Sequence, residues 1–407
     1  MKPIGKIAVV LSILFCCPGF WLPGNAAEEE DGNAHFKHFL VQRQILDSDA
    51  TREEELGPVS DDGRKVRIAV MESGVWTGFI FYFDAVVDSL THLGWGDPQV
   101  YESLTKAEKE NIPAMIAALR KKNWSEYIEF PEDAYVRLAM DTRKQEAASI
   151  AARTDIDMVV GLGTWAGQEL KNQPDSYKTP CVILGVSNPI GSGILQSTTD
   201  SGRDNITGSV EMNRFERQLR LFHDIVGFKR LGVVYAGSDP TAAQYAAVED
   251  IKTLRRERGF EVLEATDVPP SGDMEEINRK YIAGVESIVG RIDAFYLTLQ
   301  NGVNAATLPQ LVKIFNSHGI PTFYMGGSEY VRKGVLLSIA TNWKTMGAFN
   351  ARNIARILRG ARPRDLDMIF DAEPRVAINL ATATAIAYDP PVDVLASADE
   401  IYTTIEP

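Results

Sequence analysis

Along this chain, short and almost unbroken apolar runs alternate with longer stretches in which apolar residues recur every three or four positions. The runs are Val66-Arg-Ile-Ala-Val-Met71, Asp157-Met-Val-Val-Gly161, Pro180 to Val186, Arg230-Leu-Gly-Val-Val-Tyr235, Phe260 to Leu263, Asp293-Ala-Phe-Tyr-Leu297 and Pro321-Thr-Phe-Tyr-Met325. Runs this short, apolar on both alternations, predict parallel strands covered on both faces. Ser125 to Phe130, Val335 to Ile339 and Arg375 to Leu380 are weaker strand candidates. Between them the helical period predicts Phe79–Leu93, with Phe79, Phe83, Val86, Val87 and Leu90 on one face. Further helices are expected over 107–121, 141–153, 165–171, 214–226, 274–289, 308–317 and 345–358. Thr241 to Gly259 reads as one long helix with Gly259 as its C-cap. Strand and helix alternate through one α/β unit and then through a second of similar size. No sequence repeat accompanies this repetition of pattern. The late elements are too few for a third domain and complete the first two, which requires the chain to cross between them.

The first 27 residues are a separate object. Lys2 and Lys6 precede an apolar run from Ile7 to Leu22, and Gly24-Asn-Ala-Ala27 supplies the small residues of a signal-peptidase site near Ala26 or Ala27. A retained anchor is the alternative, but Pro18, Gly19 and Pro23 interrupt a run already short for a membrane span. Phe15 before Cys16 disfavours a lipid anchor. Residues 28–63 are acidic and polar and read as a flexible leader, with His35 and His38 at helical metal-ligand spacing but no third ligand beside them. After cleavage Cys181 is the single cysteine, so no intrachain disulfide can form, and its apolar neighbours argue against a catalytic thiol.

Composition changes the picture only slightly. The 407 residues, 45% hydrophobic and 24% charged, allow two domains with ample cores. A formal net charge of -13 argues against nucleic acid or an anionic membrane as partner. It leaves small ligands open.

Small polar residues and glycines gather where the predicted strands end. Glu72-Ser73-Gly74-Val75-Trp76, Gly161-Leu-Gly163-Thr164-Trp165 and Gly185-Val-Ser187-Asn188-Pro189 belong to the first unit. Gly237-Ser238-Asp239 with Thr241, and Gln300-Asn301, belong to the second, and Gly326-Gly327-Ser328-Glu329 lies near the junction. Open α/β sheets bind small molecules at the carboxyl ends of their strands, and free amides of a following helix suit a carboxylate. The alternative is that these are ordinary turn and cap residues. Trp76 and Trp165 could stack on a flat ligand or pack between the two units. Gly161-Leu-Gly163-Thr-Trp-Ala166 matches a dinucleotide fingerprint, but it follows a late strand and no acid ends the next one. No cofactor is expected. His92, His223 and His318 fall in or at the ends of helices, and no G-x-S-x-G, H-E-x-x-H or Walker A pattern is present.

The chain resembles the substrate-binding proteins of ABC transporters, the tryptophan/tyrosine type, over about residues 65–402. The resemblance rests on Thr179-Pro with Gly185-Val-Ser-Asn-Pro-Ile-Gly-Ser-Gly193, on Asn205-Ile-Thr-Gly208 and Lys229-Arg-Leu-Gly-Val-Val-Tyr235, and on Asp293-Ala-Phe-Tyr-Leu with Asn301, Gly319-Ile-Pro-Thr-Phe323 and Val376-Ala-Ile-Asn-Leu380, in that order. It implies a type I periplasmic binding fold, two doubly wound α/β lobes joined by three crossovers that close on a ligand. The expected partition is 64–190 plus about 323–360 in lobe 1 and 191–322 plus about 361–407 in lobe 2. It implies an exported monomer that hands a small molecule, an aromatic amino acid or similar, to an ABC permease and its ATPase. Ser187 and Asn188 would face the cleft, and Gly191 and Gly193 would lie nearer the hinge. Two positions depart from the pattern. Gln300 stands where such proteins commonly carry an acid for an ammonium group, and Trp165 stands where small residues or proline are usual. Either the ligand is not a standard α-amino acid, or Glu72 or Glu329 takes the ammonium. A sensory subunit of a membrane receptor and an exported enzyme on the same scaffold are the alternative functions.

Overall fold

The structure is a computed structural model that describes residues 56–58, 63–74, 76, 78–370 and 374–407. The expected signal segment, and most of the leader with His35 and His38, lie outside the described residues. Of the leader, Leu56 and Gly57 touch the body. The Leu56 carbonyl accepts from Trp95 Nε1 at 2.8 Å, and the Gly57 carbonyl accepts from Arg359 at 2.9 Å.

The first sheet holds β1 (Val66–Ser73), β2 (Ile128–Glu129), β3 (Tyr135–Leu138), β4 (Met158–Leu162), β5 (Cys181–Leu184) and β6 (Ile206–Gly208). Its order is β2-β1-β4-β5-β6, with β3 also on β1, and every pairing is parallel. Both faces are covered, which is why the strands read as continuous apolar runs. Ile68, Val70, Val160 and Val182 join the core under the helix Phe79–His92, while Ala69, Met71, Val159 and Ile183 join the core on the opposite face. The predicted helix face of Phe79, Phe83, Val86, Val87 and Leu90 is buried throughout.

The second sheet repeats this plan. It holds β8 (Arg230–Val234), β9 (Glu261–Ala265), β10 (Ala294–Leu297), β11 (Thr322–Tyr324), β12 (Leu337–Thr341), β14 (Pro374–Asn379) and β15 (Glu400–Tyr402), in the order β15-β14-β12-β11-β10-β8-β9. Only β12 and β14 pair antiparallel. A small third ladder joins β7 (Val210–Glu211) to β13 (Ile369–Phe370). Strand order reverses between β1 and β4 in one sheet and between β8 and β10 in the other. Loops leaving such a reversal diverge and leave a crevice.

The chain passes between the units three times. It leaves the first sheet after β6, returns after β12 through the helix Trp343–Leu358, and rejoins the second sheet at β14. That returning helix lies so close to Phe79–His92 that a Cβ at Gly347 would sit 2.3 Å from the Ala85 carbonyl oxygen. Strand pairing therefore corrects the expected partition. β6 belongs with the first sheet, and β11 and β12 belong with the second. Leu366, Met368 and Phe370, expected in the second lobe, pack into the cores of the first unit. Apolar pattern marks a strand but not its neighbour, so membership of a sheet was invisible. Two more differences are local. β3 was not expected, because its apolar positions are broken by Arg137. The long helix over 241–259 is two, Pro240–Tyr245 and Val248–Arg258, separated where Ala247 adopts φ 53°. Among the described residues no helix is long and apolar enough to cross a membrane.

Candidate functional site

At the carboxyl edge of the first sheet, β1 and β4 empty into one crevice. Gly163 has φ 87°, and a Cβ there would lie 2.5 Å from the Phe79 ring and 2.8 Å from Ser73. Only glycine fits. It starts the helix Thr164–Lys171, whose Ala166 amide donates to Ser73 Oγ at 2.8 Å. Ser73 thus satisfies one free amide of that helix start and binds the two loops together. Thr164 is buried beside it. Trp165 lies over Gly74, its ring 3.1 Å from where a Cβ would stand, and Arg143 sits 5.6 Å from the ring centre. Trp76 meets Phe79 edge-on at 4.8 Å and is half-buried.

Two first-unit residues among those expected at the site have partners inside the protein. Glu72 is buried and accepts hydrogen bonds from the Tyr135 hydroxyl and from Arg137 Nε, the latter at 3.1 Å. The unexpected strand β3 causes this, since its register sets Arg137 opposite Glu72. Asn188 is exposed, and its Oδ1 accepts from the Gly191 amide at 2.8 Å, locking a turn. Ser187 is half-buried.

The second sheet's edge is built from amides that hold the protein itself. Gln300 Oε1 accepts from the Ala236 amide at 3.2 Å, and its Nε2 donates to the Ala242 carbonyl at 3.0 Å. A carboxylate could not make the second bond, so glutamine suits this buried position better than the acid the resemblance led one to expect. Asn301 is exposed and donates to the Pro270 carbonyl at 3.0 Å. Ser238 is exposed; Thr241 stands in the first turn of Pro240–Tyr245, its side chain outside the described ones. Gly327 has φ 150° and precedes the short helix Ser328–Arg332. Ser328 lies near the Tyr402 hydroxyl. Glu329 folds back so far that a Cβ on Gly327 would lie 2.5 Å from its Oε2. Burial raises the Glu329 carboxyl above its ordinary range.

Four residues outside the predicted set stand near the carboxyl ends of the strands. Tyr82 is buried, 4.8 Å from the Trp343 ring and 6.2 Å from the Trp76 ring, and 3.3 Å from where a Gly185 Cβ would stand. Arg214, from the second unit, lies beside Tyr82. Its side chain is only 10% exposed; Nη2 donates to the Met325 carbonyl at 3.1 Å, and Nε lies 3.6 Å from Glu211. Gln218, one turn on, donates to the Ile339 carbonyl at 2.7 Å and accepts from the Tyr296 hydroxyl at 3.1 Å. Trp343 begins the returning helix, capped by Asn342. A direct bridge, Ser192 Oγ to Gln244 Oε1 at 3.0 Å, also spans the units. An arginine in the first turn of a helix reads as a surface residue in sequence, and only the packing of the two units shows that Arg214 is buried.

The remaining reactive groups stand elsewhere. Burial pushes the Cys181 thiol up to about 12, far from a reactive thiolate. His92, His223 and His318 lie at the carboxyl ends of helices. Among the described residues no group of three or more His, Cys, Asp or Glu is placed to hold a metal. A hollow of about 220 Å³ beside Lys65 and Trp124 opens at the amino end of the first sheet, away from the crevice.

The family model of ABC transporter substrate binding proteins matches residues 137–402, more than half of the chain. The chain belongs to that family. Solved structures agree on the fold. A conserved domain protein from Vibrio cholerae is 21% identical, with a TM-score of 0.63, covering 83% of this chain and 100% of that one. An ABC domain from Streptococcus pneumoniae in complex with L-Trp is 20% identical, with a TM-score of 0.61 and the same coverage of 83% and 100%. A substrate binding protein with adhesive properties from Clostridium difficile, in its ligand-free, open structure, is 21% identical, with a TM-score of 0.57 and again 83% and 100% coverage. No curated protein sequence matches the chain. The fold is that of type I periplasmic binding proteins, and the family membership supports a solute-binding role.

Proposed function

We propose that this chain is the exported solute-capturing component of an ABC importer. It holds an aromatic amino acid or a related metabolite between the carboxyl edges of its two sheets and delivers it to a permease and its ATPase. One observation supports the reading: Trp76, Tyr82 and Trp343 form an aromatic cluster on the first unit, near the carboxyl end of β1, and Tyr82 lies beside Arg214 of the second unit. Aromatic side chains offer a flat ligand large contact area at low entropic cost. The ligand-bound relative carries L-Trp, which fits such a cluster. A ligand touching both units favours the closed arrangement by its differential affinity for it.

Ligand screening by thermal denaturation tests the reading. At 100 times Kd a true ligand adds about 2.7 kcal/mol of stability, a shift of several degrees. Aromatic amino acids and their close metabolites are expected to give it. No shift with any aromatic compound would reject the aromatic ligand class.

A further inference from the structure

The clearest unused chemistry in the molecule is the guanidinium of Arg214. Nine-tenths of its side chain is buried, and it stands where Tyr82 of the first unit meets Met325 of the second. Its surroundings are the Tyr82 hydroxyl, the Met325 carbonyl, the Phe215 ring at 5.7 Å, the nearby phenols of Tyr296 and Tyr324, and Glu211. Glu211 does not complete it. The Nε–Oε2 separation of 3.6 Å is too long for a hydrogen bond, Glu211 also lies 3.4 Å from Arg217, and Arg214 Nε is buried without a hydrogen-bond partner. A buried guanidinium nitrogen left without an acceptor is costly until one reaches it.

Of the two acids that the sequence offers for an ammonium, Glu72 is engaged by Tyr135 and Arg137, and Glu329 is held toward its neutral form by burial. Gln300 carries no charge, and both ends of its amide are engaged by backbone.

We infer that the ligand carries a carboxylate and no ammonium group, and that Arg214, with Tyr82 beside it, receives that carboxylate. The inference rests on the proposal that the space between the units is the ligand site. It narrows the ligand class to deaminated acids on an apolar or aromatic body. Arginine suits the task because its planar fork can meet both carboxylate oxygens.

Calorimetry on the mature protein tests this with matched compounds. One series is L-phenylalanine, 3-phenylpropionate and phenethylamine, a second is L-tryptophan, indole-3-propionate and tryptamine, and a third is L-leucine, 4-methylpentanoate and isopentylamine. The acid of a series is expected to bind at least about 10-fold more tightly than its amino acid, and the amines not at all. Amines or amino acids binding as well as the acids would overturn the inference and leave the site itself standing. Preference for 4-methylpentanoate with no binding of any aromatic compound would reject the aromatic reading and uphold this one. No binding in any series would reject both. Arg214→Met is expected to weaken acid binding about 100-fold, with Arg214→Lys between. Unchanged affinity in a folded Arg214→Met protein would remove Arg214 from the site. The wild-type series decides the question if that variant does not fold.

Discussion

The two sheets share a strand plan but finish their carboxyl edges differently. The first ends in backbone: glycines with positive φ, a helix start and small hydroxyls at Ser73 and Thr164 leave a crevice whose polar groups are compact. The second ends in side-chain amides that brace the loops, Gln300 onto β8's loop and Asn301 onto Pro270. A charge near it is that of Arg214, a turn before Gln218 on the same helix, and both donate to the Met325 carbonyl. Equivalent positions in a duplicated topology therefore need not do equivalent work. Polar residues at a strand end either face a ligand or hold the loop that does, and the two uses respond to mutation differently.

The largest effect should fall on the second edge. Gln300→Leu strands the Ala236 amide and the Ala242 carbonyl and is expected to cost about 2–4 kcal/mol of stability, read from urea denaturation. Loss of affinity with unchanged stability would reverse the contrast. On the first edge, Thr164→Ala and Ser187→Ala are each expected to weaken ligand binding about 10-fold, close to 1.4 kcal/mol by calorimetry. If both leave affinity unchanged, those loops are not part of the site.

Glu329 sharpens the comparison through pH. Its folded carboxyl holds a proton to higher pH than the ordinary value of 4.5, because burial penalises the charge. The folded state therefore loses stability relative to the unfolded chain as pH rises from about 4.5 through the raised value. Glu329→Gln should be the more stable protein at neutral pH, and the advantage should vanish below pH about 4.5 in melting curves. An advantage independent of pH would mean that packing, not charge, is responsible. The smallest effect is expected at Asn188. Asn188→Ala removes one bond in an exposed turn and should change stability by about 0.5–1 kcal/mol and affinity not at all.

Much of the architecture was legible because the physics acts locally. Val159, Val182 and Phe295 sit in runs that are apolar on both faces, and that pattern means a covered parallel strand. The helix over 79–92 announced its buried face through its spacing. Less of the site was legible. Ser73, Gly163 and Thr164 come together at the ends of β1 and β4, where glycine and small hydroxyls reveal a close turn. Glu72, Asn188 and Gln300 are the right residue types with partners inside the protein, and a sequence does not show partners. Tyr82 and Trp343 become neighbours only because the returning helix packs on Phe79–His92, and Arg214 comes beside Tyr82 only because the two units meet, all through segments far apart in the chain. The partition of β11 and β12 failed for the same reason, since it depends on pairing across distance.

The returning helix Trp343–Leu358 has a consequence for how the molecule is made. Met346, Ala351, Ile354 and Ile357 fill the same core as Phe83, Val87 and Leu90, and Phe370 completes it. The ribosome makes the early strands long before it makes this helix. Until about residue 370 emerges, the first unit has an open apolar face and no means of closing it. The second unit is likewise incomplete until β14 and β15 arrive near the end of the chain. Neither half can mature ahead of the other during synthesis, so the protein should reach its folded state in one late, cooperative step rather than unit by unit.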